Sequence, residues 1–156
     1  MTLQPINIGE DKTKEIYANA DCQGVLKTYD DFYKKIGFNP PWIGYFIIRD
    51  NQVAGVCGFT GQPQNGKVEI AYHTFKQFEG QGIATASCEQ LILISGKADP
   101  LIIVTAKTLP ENNASTKVLE RNGFEFSGMV KDDDIGDAWE WTYNENKNLN
   151  HENSRH

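Results

Sequence analysis

No apolar stretch in this chain approaches the ~20 residues that a membrane-spanning helix requires. The opening segment, MTLQPINIGEDK, has no basic patch followed by an apolar run, so no secretory signal is expected. Positive charge is scarce: 15 Lys and Arg stand against 21 Asp and Glu, a formal net charge of −6. Non-specific nucleic-acid binding needs a positive field, and this composition supplies none. An acidic chain is better suited to a basic partner such as an amine. Cysteine is limited to Cys22, Cys57 and Cys88, with long spacings and no Cys-x-x-Cys pair. Neither a zinc site nor a redox pair is therefore expected, and no metal. The cysteines read as small buried hydrophobes, which suits a reducing cytoplasm. The expectation is a soluble cytoplasmic protein with no membrane and no nucleic-acid partner.

What is present is an ordinary globular composition. Of 156 residues, 39% are apolar and 23% charged, enough for one domain with a real core. No internal repeat or linker interrupts residues 1–143, which are read as a single domain. Residues 144–156 (NENKNLNHENSRH) are polar and are expected to form a disordered tail.

The pattern along the chain predicts an α+β fold. A first strand is expected at Leu3–Ile8. Helical signals fill residues 10–37, with Asp11 and Asp21 as candidate caps and Gly37 as a stop. In the second of these helices Val25, Leu26, Tyr29, Phe32, Tyr33 and Ile36 recur at three- and four-residue steps. Trp42–Arg49, Val53–Thr60 and Lys67–Thr74 read as three strands of an antiparallel meander. Gly80-Gln81-Gly82 then opens a helix that Gly96 is expected to end. Leu101–Ala106 is continuously apolar, as a strand covered on both faces would be. A strand, glycine turn, helix and buried strand make one parallel, right-handed βαβ crossover. A helix over Asn112–Asn122 and a closing pair of strands, Glu125–Val130 and Ala138–Tyr143, follow, the last two joined by an acidic loop at Lys131–Asp137.

Chemistry is concentrated in the turn Glu79–Thr85. It follows a strand and opens a helix, where unpaired backbone N–H groups and the positive end of the helix dipole favour an anion. Glycines let a ligand approach the backbone closely. A Gly-x-Gly alone is also a common turn. The chain lacks the Gly-Lys-Ser/Thr ending of a phosphate-loop NTPase and the third glycine of a dinucleotide fold.

Two separated segments, Glu69–Thr85 (EIAYHTFKQFEGQGIAT) and Pro110–Gly128 (PENNASTKVLERNGFEFSG), resemble the GNAT superfamily of N-acetyltransferases. The resemblance is closest to the branch of ribosomal-protein alanine and spermidine N-acetyltransferases. It implies a mixed central sheet in which the two parallel strands splay apart, flanked by helices. It also implies acetyl-CoA as acyl donor and a primary amine as acceptor, either a protein N-terminus or a small molecule. A homodimer is left open.

On this resemblance the cofactor loop maps onto Glu79, Gly82 and Ala84, with Gly80 and Gln81 between. Glu79 stands where Gln or Arg is usual. The frame Gln77-x-x-Gly80-x-Gly82 is the alternative. Amides of Gly80, Gln81, Gly82, Ile83, Ala84 and Thr85 are implied as the pyrophosphate donors, with Tyr72, His73 and Thr74 pairing with the pantetheine arm. The Thr74 amide would polarise the thioester carbonyl. Asn112 would reach the pantetheine, cap the following helix, or both.

Glu69 is the candidate general base and His73 the second candidate, on the same face of one strand. Ser115 matches a serine of the alanine-acetyltransferase branch, and the resemblance implies it for the departing thiolate; the position where many relatives carry a tyrosine acid is Leu119. Trp42, Tyr45 and Trp139 are candidate walls of an acceptor pocket, and Asp132-Asp133-Asp134 a candidate attractor of cations. An acyl-CoA-binding sensor or an inactive relative is the alternative reading.

Overall fold

The computed structural model describes residues 1–145. Seven strands form one sheet in the order β1-β2-β3-β4-β5-β7-β6. They are β1 (Thr2–Pro5), β2 (Gly44–Arg49), β3 (Gln52–Phe59), β4 (Lys67–Thr74), β5 (Ile103–Thr108), β6 (Phe124–Asp132) and β7 (Gly136–Tyr143). Helix α1 covers Ala20–Ile36, α2 Ile83–Ala98 and α3 Ala114–Arg121. Every neighbouring pair is antiparallel except β4–β5, which is the expected parallel crossover with α2 as its connection.

The β2–β3 turn is tight because Asp50 and Asn51 both take positive φ, 50° and 62°, residue types that tolerate the left-handed region. Alternation along β4 sends Val68, Ile70, Tyr72 and Thr74 to the face that carries α2 and α3. Glu69, Ala71 and His73 point to the face that carries α1. Gly44 permits that second layer. A Cβ there would lie 2.2 Å from the Tyr29 ring, so only glycine lets α1 rest on β2. Phe46, Phe59, Ile70, Leu91, Leu119 and Phe124 are fully buried in the core. Cys22, Cys57 and Cys88 are free and buried.

Several boundaries differ from the sequence expectation. Helix α1 is capped by Asn19, whose Oδ1 accepts from the Cys22 N–H at 2.8 Å. Asp21 sits instead in the first turn, where a carboxylate complements the helix dipole. Asp11 makes a local turn, accepting from the Thr13 N–H at 2.9 Å, and caps no helix. Helix α2 runs through Gly96 to Ala98. Pro100 ends it, by forcing Asp99 into an extended conformation (φ −161°, ψ 106°). β5 begins two residues later than the apolar run suggests, and Leu101 lies 86% exposed in the connection. The acidic segment is mostly strand, with Asp132 ending β6 and Asp137 in β7. Of the expected tail, Asn144 is tied down by an N–H bond to the Gly123 carbonyl at 3.0 Å. Residues 146–156 lie outside the described residues.

Candidate functional site

The parallel pair does not stay together. β4 and β5 are in register from Lys67↔Ile103 to Ile70↔Ala106. Beyond that point Ala71–Thr74 pair with β3 alone, while Lys107 and Thr108 pair with β7. A wedge opens between the two strands, as the resemblance implies.

The hydrogen-bond phase of β4 fixes what the wedge offers. Phe75 donates its N–H to the Ala54 carbonyl at 2.8 Å, and the Glu69 carbonyl accepts from the Thr60 N–H at 3.0 Å. Odd-numbered residues therefore direct their backbone groups to β3, since alternate residues of an antiparallel pair face the neighbour. The N–H groups of Tyr72 and Thr74 point the other way, into the wedge.

The wedge opens into a cavity of about 510 Å³. Tyr72, His73 and Thr74 form one wall. The loop and first turn of α2, with Gly80, Gly82, Ile83, Ala84 and Thr85, form the floor. Gly80 and Gly82 both have φ of 76°, and an added Cβ at either would enter open space. The glycines are thus required by conformation, and the space before them is free for a ligand. The two left-handed glycines precede the helix, and Ala84 lies in its first turn.

Ser115 also lines the cavity, from α3. Its carbonyl accepts a hydrogen bond from the Tyr72 hydroxyl at 3.2 Å, which bridges the wedge strand to α3. Burial pushes the Tyr72 phenol well above its ordinary value. At the other end of α3, the buried Asn122 side chain donates to the Thr85 carbonyl at 3.1 Å, holding α3 against the first turn of α2.

Lys117 and Arg121 line the same cavity. They place two cations opposite the start of α2 in a chain of net charge −6. Sequence reasoning missed both. The legible signal was their i,i+4 spacing, on the helix face that also carries Ala114 and Val118.

Other candidates fall elsewhere. Gln81 faces away, lining a separate cavity with Gln77, Asn51 and Gln52. Its carbonyl accepts from Arg49 Nη1 at 3.4 Å, which braces the loop from behind. Asn112 is exposed, precedes the helix and does not line the cavity. Asn113 is the cap, with its Oδ1 accepting from the Thr116 N–H and Thr116 Oγ1 accepting from the Asn113 N–H. The cap therefore falls one residue later than expected, on the second of two adjacent asparagines.

Glu69 lies outside the cavity, on the opposite sheet face, ion-paired to Lys107 at 3.0 Å. Lys107 also reaches Asp132 at 3.2 Å. Burial draws the Lys107 ammonium down, but the bonds to Glu69 and Asp132 outweigh it and hold the group above its ordinary value. Asp132 is held below the usual carboxylate value by the Asp134 N–H and by Lys107.

Leu119 is fully buried and does not face the cavity. The three candidate acceptor aromatics do not converge. Trp42 packs edge-on to Phe59, and Trp139 packs with Phe126 and Trp141. Tyr45 is buried, its hydroxyl donating to the Pro41 carbonyl.

Among the described residues no helix is long and apolar enough to cross a membrane.

Known proteins resemble this chain in sequence and fold. The sequence profile of the acetyltransferase (GNAT) domain matches residues 6–125. An uncharacterised N-acetyltransferase of Bacillus licheniformis is 34% identical over 88 residues, covering 55% of this chain and 49% of the relative. A putative ribosomal N-acetyltransferase of Bacillus subtilis is 34% identical over 87 residues, covering 55% and 48%. The chain thus spans about half the length of the curated relatives it matches. Among solved structures, a ribosomal L7/L12 α-N-protein acetyltransferase in complex with coenzyme A superposes with a TM-score of 0.64 at 20% identity, covering 90% of this chain and 91% of the other. With about three-quarters of its length inside the domain profile, a splayed parallel pair and a positive-φ glycine loop opening α2, the chain belongs to the GNAT acetyltransferase family.

Proposed function

We propose that this protein transfers an acetyl group from acetyl-CoA to a primary amine, and that residues 1–143 act as one acyl-CoA N-acyltransferase domain. The observation that carries this is the wedge. Two backbone N–H groups, of Tyr72 and Thr74, face a gap between parallel strands that leads directly to the glycine loop. A pantetheine arm pairs in such a gap as an added strand would, using backbone groups that otherwise lack partners. The amides at the start of α2, with Lys117 and Arg121, suit the phosphates.

In this reading Thr74 donates its N–H to the thioester carbonyl and stabilises negative charge as it develops there. Ser115, at the mouth of α3, hydrogen-bonds the sulfur as it leaves. The Tyr72 hydroxyl bond keeps α3 at the right distance from β4 for both contacts. The three buried thiols suit a reducing compartment, and we place the protein in the cytoplasm.

The test is release of free CoA thiol from acetyl-CoA over a panel of primary amines, from alkylamines and polyamines to peptides with free N-termini. Amine-dependent release supports transfer. The burial of Leu119, at the position where many relatives carry an acid, favours one other reading, an acyl-CoA sensor. Tight acetyl-CoA binding with no release on any amine would establish that reading instead.

A further inference from the structure

His73 borders two cavities at once. It lines the wedge cavity described above, and it also lines a second, of about 360 Å³, on the opposite face of the sheet beneath α1. The second cavity is walled by Val25 and Tyr29 of α1, Val56 of β3 and Phe75 at the end of β4, with Asp21 and Thr28 at its rim. His73 therefore stands where the gap between β4 and β5 passes through the sheet. Its neighbours fix its direction. Val56 is its register partner on β3, and the Phe75 ring meets the imidazole edge-on with centroids 6.1 Å apart. Among the described residues no hydrogen bond or ion pair occupies the imidazole nitrogens. Glu69, two alternations earlier on the same face, has its carboxylate engaged by Lys107 at 3.0 Å.

We infer that the cavity beneath α1 is the acceptor subsite, that it takes a primary amine on a short apolar stem, and that His73 is the general base. The inference rests on the acetyltransferase reading above. A donor held along the wedge lies on one side of the sheet and the space beneath α1 on the other, and His73 is the ionisable side chain that borders both. The walls dictate the acceptor. Val25, Val56 and Phe75 suit methylenes rather than a charged chain, and the amine head is directed to the imidazole.

His73 takes one proton from the ammonium. The freed nitrogen lone pair forms the bond to the thioester carbon, and the carbon–sulfur bond breaks with its electron pair leaving on sulfur. The second proton shed by nitrogen goes to that sulfur, so that acetyl-CoA and amine become amide and free thiol. The charged and titratable groups lining the two cavities beside His73 are Asp21 and Tyr29 from α1, Tyr72 of β4, Glu79 of the loop, and Lys117 and Arg121 of α3, while Glu69 on the same strand is held by Lys107.

The experiment measures thiol release with a series of linear alkylamines, ethylamine to hexylamine, across a pH range. Acetyl-CoA affinity is followed separately by calorimetry. In the parent protein KM for the amine should fall about twofold to fourfold per added methylene. His73→Gln should lower kcat about 10²–10⁴-fold and remove the acidic limb of the kcat/KM profile, while leaving acetyl-CoA binding in place. Thr28→Trp, at the rim on the exposed face of α1, should raise the amine KM at least about tenfold, the size of a few lost methylene contacts, without changing acetyl-CoA affinity. If His73→Gln keeps the limb and Glu69→Gln removes it, the base is Glu69 and the inference is wrong. If Thr28→Trp and chain length leave the amine KM unmoved, the subsite is elsewhere. If the parent protein binds acetyl-CoA but releases no thiol with any amine, the acetyltransferase reading fails and this inference fails with it. Turnover in the parent with variants that match it overturns the inference alone.

Discussion

The hydroxyl of Tyr72 on β4 donates to the main-chain carbonyl of Ser115 on α3 at 3.2 Å, spanning the mouth of the wedge. This one bond joins the strand that offers backbone donors to the helix that carries Ser115, Lys117 and Arg121. Tyr72→Phe keeps the ring and removes the bond. It should cost about 0.5–1.5 kcal/mol of stability, the net worth of a neutral hydrogen bond. It should also raise KM for acetyl-CoA several-fold, because α3 is freed from the wedge. Thermal unfolding with steady-state kinetics checks both. A variant with unchanged KM would mean the bond only stabilises the fold.

Glycine substitutions separate conformation from bulk. Gly82→Val forces a β-branched residue to φ 76°, at a strain of about 1–3 kcal/mol, and should abolish measurable acetyl-CoA binding. Gly96→Ala lies within α2 with nothing near its added methyl and should stabilise the protein by roughly 0.5–1 kcal/mol while binding as the parent does. Calorimetric titration of both variants is the check. Parent-like binding by Gly82→Val would place the anion site outside this loop.

Lys117 and Arg121 are predicted to supply the salt-sensitive part of donor binding. Arg121→Gln should weaken acetyl-CoA by about tenfold to a hundredfold, the range for a hydrogen bond to a charged group. It should also flatten the dependence of affinity on ionic strength. Lys117→Gln should act in the same direction. Unchanged salt dependence in both would show that the phosphates lie beyond their reach.

Much of this architecture is legible in the amino-acid sequence alone. The meander, the crossover and the glycine turn follow from strand periodicity, turn residues and one continuously apolar strand. Alternation on β4 also puts Glu69 and His73 on one face. Features that depend on contacts between segments are not legible in the same way. Nothing local distinguishes Asn112 from Asn113 as the cap; the reciprocal bond with Thr116 decides it. Glu69 reads as an unencumbered carboxylate until β5 brings Lys107 beside it. Trp42, Tyr45 and Trp139 read alike as pocket walls, yet each is taken up by a different part of the fold. β5 starts later than its apolar run because such a run marks which residues avoid water, not where pairing starts.

On α3, Ser115 lines the cavity while Leu119 is buried in the core. Ser115→Ala should slow turnover about 10- to 100-fold, with little change in donor affinity, if its hydroxyl bonds the leaving sulfur. Leu119→Tyr should not restore that loss. Leu119 is fully buried, so the larger ring would overpack the core, at about 1–3 kcal/mol, and its hydroxyl would not reach the cavity. Kinetics of the single and double variants test this. Rescue by tyrosine would show that α3 turns its other face to the donor.

Amide hydrogen exchange, read residue by residue with and without coenzyme A, tests the central claim most directly. The N–H groups of Tyr72 and Thr74 face the wedge with no strand beside them, and those at the start of α2 face the cavity floor. Coenzyme A should slow exchange at Tyr72, Thr74 and residues 82–85 together, while Ala71 and His73, already directed to β3, change little. Slowing confined to other parts of the molecule, or none at these amides at saturating coenzyme A, would contradict the assignment of the wedge as the donor site.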